Sequence, residues 1–377
     1  MSNLLDKASV ILTPTAYNTS EALCVKPSDG TGDFDFSRAT EATRINSLGL
    51  VETIGINLPR INYEGGCGSW LFEPQSTNLF DYSEDLGNSY WSDFGTEVSR
   101  NLNASQINPS GTAGSYELEG VGGLRRFGIF LTVTPSTDYT LSFYAKNIDA
   151  TLLKALFTNS SITTYTYTSE VNTTDWSRVE INFTTLTGTS TSVQILRDLP
   201  IGESAFFWGL MLEEQSYATS YIPSNGGQVT RNKDLCNNGA TGTGLINSTE
   251  GVLYAEIAAL ANDATNRVIS ISDGTASQRI SIVLGTSSNQ IRGQVLSSST
   301  SFDFSTTSYN TLNNNKIAIS YKLNDFSMWI NGTKVSTDTS GNTPVGMNTI
   351  SFNEGAATLD YFGKTKCIAV WKEALTD

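Results

Sequence analysis

The sequence has no histidine in its 377 residues. This absence excludes Ser-His-Asp and Cys-His triads, histidine-ligated zinc and an imidazole proton shuttle. Acid–base chemistry would have to use Asp, Glu, Lys, Tyr or Cys side chains. Cysteines are few and scattered, with neither a CxxC motif nor the density of a disulfide scaffold; they are Cys24, Cys67, Cys236 and Cys367.

Charge is scarce as well, because charged residues make up 16% of the chain and the average is about 25%. The net charge of −14 lacks the basic footprint of nucleic-acid binding and repels anionic membranes. No stretch reaches the roughly 20 apolar residues of a membrane span. The first 20 residues lack the pattern of a signal peptide. We expect neither a nucleic-acid partner nor membrane insertion.

The dominant pattern in the sequence is alternation of apolar and polar residues with a period of two. It is clearest in residues 140–146, 178–184 and 316–321, and it predicts strands with one buried face. Turn residues separate these runs. Asn331 and Gly332 lie between two such runs and predict a tight type I′ hairpin.

Helical periodicity is scarce, so the sequence predicts an all-β protein with two antiparallel β-sandwich or jelly-roll domains. An N-terminal module of irregular and β structure, residues 1–78, comes first. The first sandwich covers residues 79–231. A linker rich in Gly, Asn and Thr, residues 232–244, connects it to the second sandwich, residues 245–377.

Residues 36–52 have the sequence FSRATEATRINSLGLVE. Further motifs of the same region follow in order at residues 57–63 and 71–79. This region resembles a module of tailed-bacteriophage and prophage virion proteins, often described as tail, fibre or carbohydrate-binding. The resemblance implies that the N-terminal module attaches or trimerises and that the protein is located in the virion.

Two further resemblances concern the sandwiches. Residues 139–146, 176–179 and 207–213 resemble pieces of the xylanase-associated jelly-roll carbohydrate-binding modules. Residues 328–332 and 361–376 are similar to strands of concanavalin A-like, laminin-G-type lectin domains. Together these resemblances imply a protein that faces glycans.

Sugar binding requires exposed aromatic faces beside polar side chains. Tyr165 and Tyr167 lie two residues apart in a run of threonines, so we expect both on one exposed strand face. The alternative is that the pair covers the edge of a core. Tyr90 and Trp91 follow a loop and form a second candidate platform, with a cap over the sandwich end as the alternative.

Arg125 and Arg126 form a rare basic spot in an acidic chain. They could hold an anionic sugar or a partner's carboxylate, and an ordinary surface pair is the alternative. Arg38 and Arg44 lie in the phage-type motif, where we expect them to bridge backbone carbonyls or carboxylates such as Glu41 or Glu73.

Other large side chains lie in alternating apolar runs and are predicted to be core; they are Trp176, Trp208, Trp329 and Trp371. Adjacent acids on a strand point to opposite faces, so we interpret Glu213 and Glu214 as solvent-facing and not as a catalytic pair. Asp33 and Asp35 could serve calcium or acid catalysis, but a solvated turn is favoured. No catalytic residue, metal site or cofactor is predicted, and calcium is not indicated.

We expect a non-enzymatic virion structural protein, a fibre, tail or head-decoration component, whose sandwiches bind host-surface glycans. Its expected partners are other virion proteins and host glycans, and a homotrimer follows only from the resemblance because no coiled-coil heptad is present. One alternative is a purely structural capsid or tail protein without glycan binding. The other is a carboxylate-based glycan depolymerase.

Overall fold

The computed structural model describes residues 4–94 and 97–375. Strands account for nearly all of its regular structure, and the described helices are single turns, α1 (Leu4–Lys7) and a 3-10 turn (Thr168–Glu170). The predicted all-β class is confirmed. Within the described residues no helix is long and apolar enough to cross a membrane.

The strands before residue 79 are short, and several contribute to sheets formed by later parts of the chain. They are β1 (Val10–Asn18), β2 (Glu21–Lys26), β3 (Phe34–Ser37), β4 (Ala42–Ile45), β5 (Val51–Ile54), β6 (Ile61–Asn62), β7 (Ser69–Phe72) and β8 (Ser76–Asn78). β4 and β5 form a separate two-stranded hairpin.

The first sandwich is a jelly roll of two antiparallel sheets. Its strands are β9 (Val98–Ile107), β10 (Ala113–Gly120), β11 (Phe127–Thr132), β12 (Asp138–Asn147), β13 (Lys154–Phe157), β14 (Thr164–Thr166), β15 (Ser177–Thr184), β16 (Ser190–Leu196) and β17 (Ser204–Glu213). The five-stranded sheet has the order β15-β12-β17-β10-β9, and the four-stranded sheet has the order β11-β16-β13-β14. Alternate side chains of both sheets, such as Phe143, Ile181 and Val193, fill the core between them.

β18 (Val229–Arg231) pairs with β8 in a separate two-stranded sheet. The later strands form the second sandwich. They are β19 (Leu235–Asn237), β20 (Glu250–Ala259), β21 (Arg267–Ser272), β22 (Gln278–Leu284), β23 (Ile291–Ser297), β24 (Thr300–Thr306), β25 (Asn315–Lys322), β26 (Asp325–Ile330), β27 (Thr333–Asp338), β28 (Thr349–Ser351) and β29 (Gly363–Trp371). One of its sheets has the order β24-β23-β22-β21-β28. The other, which we call the large sheet, has the order β19-β3-β2-β1-β29-β20-β25-β26-β27, and β7 joins it through β29.

The large sheet combines strands from both ends of the chain. β1 pairs with β29, placing Val10 opposite Val370, and β7 pairs with the first part of β29. Phe72 also packs on Phe352 with 4.7 Å between the ring centroids. Strands between residues 10 and 72 therefore share a sheet and a core with strands between residues 250 and 371, and the domain boundary predicted at residue 78 stays a prediction.

The segment 232–244, interpreted as a linker from its composition, is packed against both sheets of the second sandwich. β19 pairs with β3 of the large sheet, and Gly239 exchanges two backbone hydrogen bonds with Ile350 on β28 of the other sheet. Ala240 is buried. The predicted hairpin between β26 and β27 is confirmed, since Asn331 and Gly332 both have positive φ, at 51° and 83°, as a type I′ turn requires.

Candidate functional site

A cleft of about 430 Å³ opens where the hairpin β4–β5, the jelly roll and the second sandwich meet. Its volume lies within the range typical of small-molecule sites. The side chains that line it come from all three parts of the chain; they include Thr43, Arg44, Ile45, Asn62, Glu64, Glu73, Tyr144, Trp176, Arg178, Glu180, Thr219, Tyr221, Leu260, Leu312 and Lys364.

The aromatic wall of the cleft is built by alternation along β15. Val179 and Ile181 point into the jelly-roll core, so Arg178 and Glu180, which have the other parity, point outward into the cleft. Trp176, immediately before β15, lines the cleft beside them. Trp176 is half-buried. Its indole Nε1 donates to the carbonyl of residue 107 at 2.8 Å, which holds the ring in place.

The floor of the cleft is a small apolar cluster on the outer face of the five-stranded sheet. Tyr144 on β12 lies opposite residue 208 on β17, and Trp208 packs on Tyr144 and on Tyr221, with ring centroids 5.6 and 4.7 Å apart. Val51 of the hairpin covers this cluster. The outer face of the sheet is therefore closed over at its centre and open beside Trp176.

Arg178 is the polar centre of the aromatic wall. Its guanidinium lies 5.9 Å from the centroid of the Tyr144 ring and donates to Ser142 Oγ at 3.3 Å and to the carbonyl of Thr219. Glu180 approaches it at 3.5 Å. A planar donor beside an aromatic ring and a carboxylate is the kind of group that binds sugar hydroxyls.

Two further ion pairs lie at the rim. Lys364 Nζ is 2.6 Å from Glu64, and these side chains are 33% and 54% exposed. Arg44 Nε is 2.8 Å from Glu52. Exposed pairs of this kind contribute little to stability, from about 0 to 1 kcal/mol. They can therefore exchange part of their contacts for a polar ligand at small cost.

Beneath the cleft lies a buried ion cluster, which we define as Arg38, Arg60, Arg231, Glu73 and Asp234. Arg38 and Arg60 contact Asp234 at 3.0 and 2.5 Å, Arg60 contacts Glu73 at 2.7 Å, and Arg231 also binds Glu73. All five residues are at most 2% exposed. The cluster ties residues 38–73 to the segment that leaves the jelly roll.

The environment of Glu73 keeps its carboxylate ionised. Burial alone would raise the pKa of Glu73, but Arg231, Arg60 and hydrogen bonds from Ser220 outweigh it and lower the pKa to about 2. Glu73 is therefore a structural anion and not a proton donor near neutral pH.

The structure corrects the predicted platform of Tyr165 and Tyr167. β14 ends at Thr166, and the chain then turns into the 3-10 helix, so the alternation is broken. Tyr167 is fully buried, packs on Phe143 and donates to the carbonyl of Ile195 at 2.8 Å. Tyr165 remains half-exposed, and its hydroxyl donates to Glu170.

The second predicted platform is also largely closed. Trp91 is 2% exposed and packs on Phe80 and Phe127, as in the alternative of a cap over the sandwich end. Its Nε1 donates to the carbonyl of Tyr82 at 3.1 Å. Tyr90 is half-buried and lies edge-to-face on Trp91. Trp91 therefore cannot offer a ring face to a sugar.

Arg125 and Arg126 are engaged within the jelly roll. Arg126 binds both carboxylate oxygens of Glu97 at 2.9 Å and lies 5.1 Å from the centroid of Phe94. Arg125 donates to the carbonyl of Gly123. This matches the surface-pair alternative, while glycan binding by Tyr90, Tyr165, Arg125 and Arg126 stays a prediction.

Three other expectations are revised. Trp208 and Trp371 are buried as predicted, but Trp176 and Trp329 are half-exposed. The sequence contained an indication of the exposure of Trp176, because this residue lies two positions before Arg178 and so falls on the polar side of the alternating pattern. Glu214 is exposed, whereas Glu213 is fully buried because β17 is covered on both faces. Burial raises the pKa of Glu213 despite hydrogen bonds from Ser76 and Thr219.

The arginines of the phage-type motif have the bridging role expected of them. Arg38 pairs with Asp234 in place of Glu41 or Glu73, and Arg44 pairs with Glu52. Among the residues that the structure describes, no group of three or more Cys, Asp and Glu side chains is arranged to hold a metal ion.

The chain matches no protein-family model and no curated protein. Among solved structures, it is similar to the Ruminococcus gnavus IT-sialidase CBM40, with 11% identity and a TM-score of 0.30 over 34% of this chain and 79% of that one. It is similar to the CBM22-1–CBM22-2 tandem of Paenibacillus barcinonensis Xyn10C, with 10% identity and a TM-score of 0.28 over 80% and 98%. Mouse laminin alpha1 LG4-5 gives 8% identity and a TM-score of 0.24 over 78% and 92%. Scores this low carry neither a ligand nor an activity over to this chain.

Proposed function

We propose that the protein binds glycans without transforming them and that the cleft beside Trp176 is its binding site. The observation that carries this proposal is the half-exposed Trp176, which lines the cleft together with Arg178, Glu180, Lys364 and Glu64. An indole face takes the apolar side of a sugar ring, and the surrounding charged groups take its hydroxyls.

The test is glycan-array screening of the full chain, followed by calorimetry on the best ligand. Trp176→Ala is expected to weaken binding about tenfold or more, because it removes the only half-exposed tryptophan among the residues that line the cleft. Phe130→Ala is the matched control, since Phe130 is an exposed aromatic on another strand of the same jelly roll. A protein that binds no glycan, or a Trp176→Ala variant that binds as well as the parent, would refute the proposal.

We propose further that this binding serves a tailed-phage virion, as a fibre, tail or head-decoration component that attaches to host glycans. The support is the resemblance of residues 36–79 to a virion module. Many weak sites on one particle produce strong adhesion through avidity, so a shallow cleft suffices. A homotrimer belongs to the same proposal. Locating the chain in a density map of an intact virion tests its position and its copy number together.

The charges in the cleft support the proposal that the protein binds glycans without transforming them. Glu64 and Glu180 at the cleft each face a cation, Lys364 and Arg178, and Glu73 stays ionised well below neutral pH. A glycosidase needs one protonated carboxyl and one carboxylate flanking the substrate. Release of reducing sugar from the polysaccharide that the protein binds would favour the depolymerase alternative instead.

A purely structural virion role is the second candidate, and exposed apolar side chains favour it. Phe130 and Ile201 on the jelly roll are 62% and 67% exposed, so a neighbouring subunit that covered them would bury apolar surface. In an intact particle, burial of Phe130 and Ile201 under another subunit, together with a blocked cleft, would support this role over glycan binding.

A further inference from the structure

Three ion pairs border the cleft, and in each of them the carboxylate is more exposed than the cation. The side-chain exposures are 15% and 41% for Arg44 and Glu52, 21% and 47% for Arg178 and Glu180, and 33% and 54% for Lys364 and Glu64. A ligand that enters the cleft therefore finds more carboxylate surface than cation surface at these pairs.

This order is reversed in other ion pairs of the chain. Lys233 is 47% exposed and its partner Asp360 is 11% exposed, and Lys322 is 52% exposed while its partner Glu250 is 31% exposed. The outward position of the carboxylates is thus a property of the cleft and not of ion pairs in general.

The two arginines of the cleft are held by acceptors of the protein itself. The Arg178 guanidinium donates to Ser142 Oγ and to the carbonyl of Thr219. Arg44 Nη1 donates to the carbonyl of Ile61 at 3.3 Å. These bonds leave fewer N–H groups for a ligand, whereas each carboxylate oxygen has more than one acceptor position. The ion pairs therefore offer a ligand mainly hydrogen-bond acceptors.

An acidic ligand finds no uncompensated cation in the cleft. Among the described residues that line it, the cations are Arg44, Arg178 and Lys364, and each has a carboxylate within 3.5 Å. An acidic group would have to displace that carboxylate or lie beside it, and like charges at such distances repel. The net charge of −14 adds repulsion at longer range. A neutral sugar avoids both costs, because its hydroxyl groups can donate to the carboxylates.

We propose that the cleft selects glycans that lack acidic groups, and that Glu64 and Glu180 are the residues that reject uronates and sulfated sugars. The proposal rests on the function proposed for the cleft and adds the class of ligand to it. Hydroxyl groups of a neutral sugar donate to the two carboxylates while its ring lies on Trp176. The selection comes from the repulsion that an acidic glycan meets as well as from the bonds that a neutral one forms.

The test measures the binding of ligand pairs that differ only in charge. Calorimetry on the full chain compares the methyl ester of hexameric oligogalacturonate with the free acid, and each neutral ligand found on the glycan array with its sulfated counterpart. We expect the neutral member to bind about tenfold more tightly at low salt, and added salt to reduce that ratio. Trp176→Ala should weaken the binding of both members, because both occupy the cleft.

Two variants remove the rejecting charges one at a time. Glu64→Gln leaves Lys364 without its carboxylate, and Glu180→Gln does the same for Arg178. Each is expected to tighten the binding of the acidic members about threefold to tenfold, because a neutral amide then stands beside an uncompensated cation. The ratio of neutral to acidic binding should fall accordingly.

Glu250→Gln is the matched control for both variants. It leaves the exposed Lys322 without its carboxylate and changes the net charge by the same amount. Glu250 begins β20, whereas Ala259 at the other end of that strand lines the cleft. We expect the ratio of neutral to acidic binding in this variant to equal that of the parent.

The outcomes separate this proposal from the one on which it rests. If no glycan binds, the function proposed for the cleft is refuted and the selection with it. If glycans bind beside Trp176 but acidic and neutral members bind equally, glycan binding stands and the selection is overturned. The same holds if Glu64→Gln and Glu180→Gln change the ratio no more than Glu250→Gln does. The two carboxylates lie on different parts of the chain, so a folding defect in one variant leaves the other to decide.

Discussion

The buried ion cluster makes a strong prediction about stability. Asp234 is 2% exposed and accepts from Arg38 Nη1 at 3.0 Å, from Arg60 Nη2 at 2.5 Å and from the backbone N–H of Glu73 at 2.8 Å. Asp234→Ala leaves the Arg38 guanidinium buried without a carboxylate and leaves Arg60 with Glu73 alone. Removal of one partner from a buried ion pair costs about 3–5 kcal/mol, so we expect a loss of that size.

The assay is urea unfolding monitored by tryptophan fluorescence. The free energy of the first unfolding transition is compared between variants, because a chain of this size need not unfold in one step. Glu64→Ala is the matched control, since it removes an exposed partner of Lys364 and should cost less than about 1 kcal/mol. Combining Asp234→Ala with Arg38→Met should restore part of the loss by removing the orphaned charge. A loss below about 1 kcal/mol in Asp234→Ala would refute the reasoning.

Three further predictions concern the pH response and the packing. The folded pKa of Glu73, about 2, lies below its ordinary 4.5, so its stabilisation is complete above pH 4.5 and is lost as the pH falls towards 2; the urea midpoint should fall over that range, and less in Glu73→Gln. Tyr167→Phe should lower stability by about 1 kcal/mol through the lost bond to Ile195, measured by the same unfolding. Gly128→Ala should cost about 1–3 kcal/mol, because its Cβ would lie 2.1 Å from the carbonyl oxygen of Val193.

Each of these has a result that contradicts it. A midpoint independent of pH between 4.5 and 2 would remove the assigned role of Glu73. Tyr165→Phe is the control for Tyr167→Phe, since Tyr165 is half-exposed, and an equal loss in both would contradict the burial argument. An unchanged midpoint in Gly128→Ala would mean that β11 and β16 separate more easily than their close contact indicates.

The candidate site was only partly accessible to sequence reasoning. Trp176 lies an even number of residues from Arg178 and Glu180, and that signal was present in the sequence, yet its place in an alternating apolar run suggested a core position. Tyr167 was misplaced because a strand period was extended one residue beyond the end of β14. Alternation predicts which face a side chain occupies only while the strand continues, and strand ends are set by turns and packing.

The sequence by itself determined the all-β class, the parity of the long strands and the turn at Asn331 and Gly332, because these depend on residues close together in the chain. Only the tertiary structure decided that β1 pairs with β29, that Asp234 joins three arginines in one buried cluster, and that a cleft opens beside Trp176. Contacts between residues tens or hundreds of positions apart leave no local periodicity. They are selected by which whole arrangement of strands buries the apolar faces and pairs the buried charges at once.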